Sequence, residues 1–557
     1  MFYLPTTPAV LLLFLSAITS SVSAGELIGS IVDSESHQPV AARVYVHSEQ
    51  GEWLFVESAS DEGSAFPYRE QWVPIDGSVE LHTTVSAHPF RIELVPGKYT
   101  ITIERGKEYL PLTRVIEIGE GDSRETLQIR RWVNMAKRGW YSGETHVHRR
   151  IRELPNVMLA EDLNVAFPVT FWTTQANEQP GLEPSPLRRQ GLSPFGPRVD
   201  RGSAPIVIDE SHIMFPRNTE YEIFSVDGKR HVLGAVFILN HKSRFKTGMP
   251  PVAEIARQAH SEGALLDLDK HSWPWSMMLV PIARIDLYEL SNNSVWRTQF
   301  GFRGSTALLP DYMKVEIDEK GMTEWGWLNF GFENYYALLN CGFRLQPTAG
   351  TASGVHPVPL GHSRVYVYPG ERFEAESWLD GLKAGRSFVT TGPMLNVQVD
   401  SKLPGYQFTH KTDGEYSFEV GGQVLSSKAL DRIEIIINGE VIKSIKPENR
   451  ATDSGAFESS LDLDVQVDRT SWIVVRAIQS GSEGRHRFAH SAPWHISVGG
   501  RRIRPRKREV DYLIGRVEGE IERNRGVLSD QSMDEFKRAL RIYHEIAKRA
   551  MGRRKKA

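Results

Sequence analysis

A chain of 557 residues is too long for one hydrophobic core, which predicts about three or four domains. Its 24% charged residues and net charge of −3 describe a globular protein and give no basis for a nucleic-acid partner. A single cysteine, Cys341 in "ALLNCGFRL", excludes an intramolecular disulfide and reads as a small core residue.

In chain order, residues 1–24 read as an export signal. The apolar run from Ala9 to Ile18 is too short to span a bilayer, and Val22-Ser23-Ala24 offers the small residues a signal peptidase requires. No Lys or Arg precedes that run, so an uncleaved anchor stays open. The expectation is an exported protein, periplasmic or extracellular, without a membrane span once the signal is removed. Oligomeric state is not legible.

Residues 25–136 alternate apolar and polar. "ARVYVH", "RIELVPGKYTITIERG" and "RVIEIG" are period-two strands, with Pro96-Gly97 turning between two of them, which describes a β-sandwich. Residues 137–395 instead mix short apolar strands ("VAFPVTFW", "GALLDLD", "IDLYEL") with helical stretches. In "PPVAEIARQAHSEG", Val252, Ile255, Ala256 and Ala259 share a face and Gly263 ends the helix. This pattern predicts an α/β domain of a length that suits a barrel. Residues 396–500 return to strands, with a hairpin turning at Asn438-Gly439, and predict a second β-sandwich. Residues 501–557 are a helical segment with a basic tail. Ser532 and Glu535 form a capping box ahead of a stripe of Phe536, Ala539, Leu540, Tyr543 and Ala547.

The chemistry centres on "SGETHVHRR". In a strand, His146 and His148 project to the same side while Val147 faces the other. Two converging imidazoles can hold a divalent metal such as zinc, manganese or iron. They can equally be polar residues of an ordinary strand.

"GWYSGETHVH" resembles the opening strand of PHP-type metallohydrolases of the CehA/McbA-like branch, with Glu144 where that branch usually has Asp. The resemblance extends over "LAEDLNVAFPVTFW", "NTEYEIF", "DLDKHSWPWS" and "GRSFVTTGPML". The segment before it resembles a carboxypeptidase-regulatory-like sandwich through "GSIVDSESHQPVAARVYV" and "VPGKYTITIERG". The PHP resemblance implies a distorted β/α barrel of about seven strands. It also implies one or two metal ions that activate water against an ester, amide, carbamate or phosphoester bond. Glu220 matches the position of that family's bridging glutamate, with Glu222 sharing its face. Two family motifs are missing. "VTFWTTQ" stands in place of Thr-Asp-His, and no Asp accompanies His356 and His362 in "SGVHPVPLGHS".

The remaining ligand candidates are His271 and His241, each at the end of an apolar strand, and His356 in a Gly- and Pro-rich loop. Lys270 is a candidate cationic clamp for a negatively charged intermediate, or a surface lysine. Glu161, beside Asp162, is a candidate to orient a ligand histidine, or a solvated helix end. Trp172, Trp273 and Trp275, with Trp296, suggest an aromatic pocket for a flat small molecule or a carbohydrate-like substrate, or else core packing. Two functions follow: a secreted metal-dependent hydrolase, or an exported carbohydrate- or peptide-binding protein that keeps the barrel without its catalysis.

Overall fold

The computed structural model describes residues 24–71, 79–183, 195–300, 303–304 and 309–550. The segment before Ala24, read above as an export signal, and the end of the basic tail lie outside the described residues. Strands dominate, arranged in several sheets, and two helices close the described chain.

The N-terminal strands form two sheets. One orders Glu57–Ser58, Phe90–Leu94, Gly25–Asp33, Ser123–Arg131 and Tyr109–Leu110; the other is built on Gly97–Glu104, Ala42–Ser48 and Val79–Val85. Leu27, Ile31, Phe90 and Leu127 from the first sheet meet Val44, Val46, Ile101 and Ile103 from the second in a common core. Register follows from this, because a one-residue slip would turn every apolar side chain outward. The Pro96-Gly97 turn carries the chain from one sheet to the other instead of closing a hairpin within one.

The central region holds the strands that position the candidate site: β1 (Tyr141–Val147), β2 (Val165–Gln175), β3 (Asn218–Val226), β4 (Lys229–Leu239), β5 (Leu265–Leu268), β6 (Leu287–Ser291) and β7 (Gln346–Ala349). β1, β2 and β3 pair in parallel; β4 runs antiparallel to β3 and β5; β5, β6 and β7 are again parallel. Just beyond β7 the chain returns to β1. Ala352 N donates to His146 O and His148 N to Ser353 O, both at 2.9 Å. The helix expected before β5 runs over Ala253–Ser261, buries Ile255, Ala256 and Ala259, and is followed by Gly263 at φ 82°.

Ser387–Thr390 pairs antiparallel with His486–Ser491, so the central sheet continues into the C-terminal strands across Leu395. There, a four-stranded sheet supplies Val397, Phe418 and Val465 to a core shared with Ile433, Val475 and Ile496 of the continuing sheet. Asn438 and Gly439, at φ 52° and 78°, make the hairpin turn, whose two left-handed residues match strand twist.

The last helix differs from the capping-box expectation. It runs over Asp530–Ala547, and the side chain of Ser529, not Ser532, accepts from Ser532 N at 3.3 Å. The Glu535 carboxylate instead receives the N–H groups of Val252 and Ala253, each at 2.8 Å. It thus satisfies free donors at the start of Ala253–Ser261, where a negative charge is favourable. Phe536, Ala539 and Tyr543 are buried beneath this helix, and Tyr543 Oη donates to Met277 O at 2.8 Å.

Candidate metal centre

β1 delivers both histidines to one point, as its alternation predicts. His146 Nε2 and His148 Nε2 lie 3.3 Å apart, and Glu220 Oε2 from β3 lies 3.3 Å from His148 Nε2. Register explains why Glu220 arrives there: it pairs with Trp172 on β2 and Phe237 on β4. The Trp172 ring stands 4.7 Å from His148 and the Phe237 ring 4.4 Å from His146, so apolar walls flank the imidazoles. His146, His148 and Glu220 are 1%, 4% and 0% exposed, and their donor atoms all fall within 4.8 Å of one another.

A second group shares His146. Asp269, just past β5, and Glu289, on β6, place carboxylate oxygens within 4.8 Å of each other and of a His146 nitrogen. His146 Nδ1 is 3.2 Å from Glu289 Oε2. Gly350 makes this approach possible, since a Cβ there would sit 2.2 Å from His146 Cβ and 2.4 Å from Glu289 Oε1. Lys270 Nζ donates to Asp269 Oδ2 at 2.5 Å, while Asp269 Oδ1 has no hydrogen-bond partner among the described residues.

The electrostatics are those of an acidic surplus in a dry place. Burial raises the Glu289 carboxyl well above its usual range; Asp269 adds to the rise and Lys270 opposes it. Burial likewise raises Asp269 against the pull of Lys270. For Lys270, burial alone would lower the ammonium, but Asp269, then Glu222, Glu220 and Glu289, outweigh it and raise it. His146 is held well below its usual value by burial, then by Lys270, His148 and His356. Its imidazole is therefore neutral, which is the form that ligates a metal. Two imidazoles and a carboxylate are a donor set suited to zinc, manganese or iron, and a divalent cation would offset the surplus. The residues present fit a metal.

The other candidates are placed elsewhere. His271 stacks on Tyr288 at 5.7 Å with Trp327 and Phe330 around it, and burial pushes it down to about 3. His241 uses Nε2 toward Thr219 Oγ1 at 2.8 Å and Nδ1 toward Ser243 O at 2.7 Å. His356 accepts from Asn293 Nδ2 through Nε2 at 2.8 Å and stands outside both donor groups. Glu161 pairs with Arg43 of the N-terminal sheets rather than with a histidine. Trp172 borders the site; Trp275 and Trp296 are fully buried, and Trp273, partly exposed, lies under Lys270 at 5.8 Å. Cys341 is buried, as expected, and burial pushes its thiol up.

Asp269 and Glu289 were not singled out by the sequence. Their signal is a carboxylate inside or just beyond an apolar strand, "LLDLDKH" and "LYELS", where only a partner across the sheet makes the charge tolerable. Among the described residues, no helix is long and apolar enough to cross a membrane. No family model matches the chain, and no curated protein matches it.

Proposed function

We propose that the chain is an exported, metal-dependent hydrolase of the PHP type, in its CehA/McbA-like branch, acting on an ester, amide, carbamate or phosphoester bond of a small molecule. The observation that carries this reading is the convergence of His146, His148 and Glu220, from two strands far apart in sequence, on one buried point. Supporting it, the pairings run from β1 through β7 and back to β1, an order suited to a distorted β/α barrel.

A divalent ion held by His146, His148 and Glu220 would supply Lewis acidity and lower the pKa of water at this point. The chain's own residues do the rest. Glu289 fixes the His146 ring through Nδ1, leaving Nε2 directed at the centre. Trp172 and Phe237 keep bulk water away, which strengthens each charge interaction inside. Lys270 holds positive charge beside the carboxylates.

Burial favours a second reading, an exported binding protein that keeps the metal-like cluster as structure. The donor side chains are at most 4% exposed, and Trp172, Trp275 and Trp296 are packed inside instead of lining an open aromatic groove. The experiment is element analysis of protein purified without chelator, followed by ester, phosphoester, carbamate and amide substrates with added manganese or zinc. Turnover that rises with metal and vanishes in His146→Ala and His148→Ala supports the hydrolase. Metal without turnover across all four bond types leaves the binding reading.

A further inference from the structure

We propose that Lys270 is a built-in cation that takes the place of a second metal ion, so the centre holds one ion, at His146, His148 and Glu220. This deepens the metal-centre reading above and rests on it.

The argument begins with His146, which belongs to both donor groups. A neutral imidazole has one lone-pair nitrogen and one N–H, so it ligates one ion. Nδ1 faces Glu289 at 3.2 Å, where its N–H is satisfied by a carboxylate; Nε2 faces His148 at 3.3 Å. That leaves the ligating nitrogen to the first group. Without His146, the second group keeps only Asp269 and Glu289, and there the chain has already placed a charge. Lys270 Nζ sits on Asp269 Oδ2 at 2.5 Å, with the lysine side chain 8% and the aspartate 0% exposed. A buried ammonium needs anionic partners and supplies one positive charge where a divalent ion would supply two. An ion approaching Asp269 would have to share its carboxylate with that ammonium, and repulsion between like charges at such a distance in a dry interior is severe.

The test is metal stoichiometry of the full chain, by element analysis and by calorimetric titration of chelator-stripped protein with Mn²⁺ and Zn²⁺. Wild type is expected to bind one ion and Lys270→Ala two. Lys270→Arg, which keeps the charge, stays at one. His148→Ala binds its ion more weakly, by about a hundredfold or more. Lys270→Met, which preserves volume, repeats the measurement if the alanine variant fails to fold. An anomalous-scattering map of metal-soaked wild-type crystals, expected to show a single peak beside His148, covers failure of both. Two ions in wild type, or one in a folded Lys270→Ala or Lys270→Met, overturns the proposal. If wild type binds none while Lys270→Ala binds one, the lysine's role stands and the metal reading of the native site falls. If neither binds, both fall.

Discussion

Two buried charge clusters, one where the N-terminal sheets meet the central region and one around His146, are balanced differently. Where the N-terminal sheets meet the central region, five carboxylates of the described residues are each paired with a guanidinium. Arg43 pairs with Glu161 and Glu104, Arg105 with Asp162, Arg131 with Asp162 and Glu108, and Arg297 with Glu80. Burial would raise Asp162, yet Arg105 and Arg131 outweigh it and hold the carboxyl far below its usual range. Around His146 the surplus is larger: Glu220, Glu222, Asp269 and Glu289 surround the Lys270 ammonium, the Arg198 guanidinium acts on Glu220, and Glu289 is still driven up. With four guanidiniums against five carboxylates, the joint with the N-terminal sheets is close to neutral and leaves none of those acids without a cation. A cluster left acidic could hold a cation, as the donor groups around His146 could.

The largest effect should come from breaking the balanced side. Arg43→Ala strands Glu161 in the interior, leaves Glu104 only the longer contact with Arg297, and is expected to destabilise the fold by about 3–5 kcal/mol. Denaturant unfolding with and without chelator measures it, and the loss should be the same in both. A loss that depends on metal would mean the two clusters are not separate.

On the acidic side, His148→Ala removes a ligand and should weaken metal affinity about a hundredfold or more while changing metal-free stability far less. Competition against a chromophoric chelator reads the affinity; unchanged binding would move the ion away from β1. Glu289→Gln keeps shape but loses the carboxylate that fixes His146, and should cost about 10–100-fold in affinity. If it instead abolishes binding outright, Glu289 is a ligand and the second donor group is the occupied one.

How much of this could be read beforehand depends on where each partner lies. His146 and His148 were legible because the period of a strand puts them on one side, and Glu220 because its segment resembles a known motif. His271 and His241 looked equivalent to them as strand-end histidines. Each instead found partners other than a metal centre: His241 in Thr219 and Ser243, His271 in the rings of Tyr288, Trp327 and Phe330. Glu161 was misleading in the same way, since its partner Arg43 lies 118 residues earlier, in an N-terminal sheet. Glu535 shows the same limit. A capping box is a local pattern, and nothing local reveals that its carboxylate serves the helix Ala253–Ser261. The sheets themselves were more legible, because alternation is written into each strand regardless of its neighbours.

The smallest expected effect tests the acidic surplus through pH. Asp267 on β5 is 0% exposed, and burial pushes it up to about 7 from an ordinary 3.8, with Asp269 and Asp286 adding to the rise and the Thr348 and Thr145 hydroxyls opposing it. Thr348 Oγ1 donates to it at 2.8 Å. Between those two values the folded chain holds a proton that the unfolded chain has released. The stability this group contributes is therefore complete below about 3.8 and is lost as pH rises through about 7, with a slope of at most about 1.4 kcal/mol per pH unit. In metal-free protein, Asp267→Asn should remove that part of the slope, because the amide stays neutral throughout. Thermal unfolding of both proteins from pH 4 to pH 8 gives the difference. Parallel curves would show that Asp267 is already ionised in the native state.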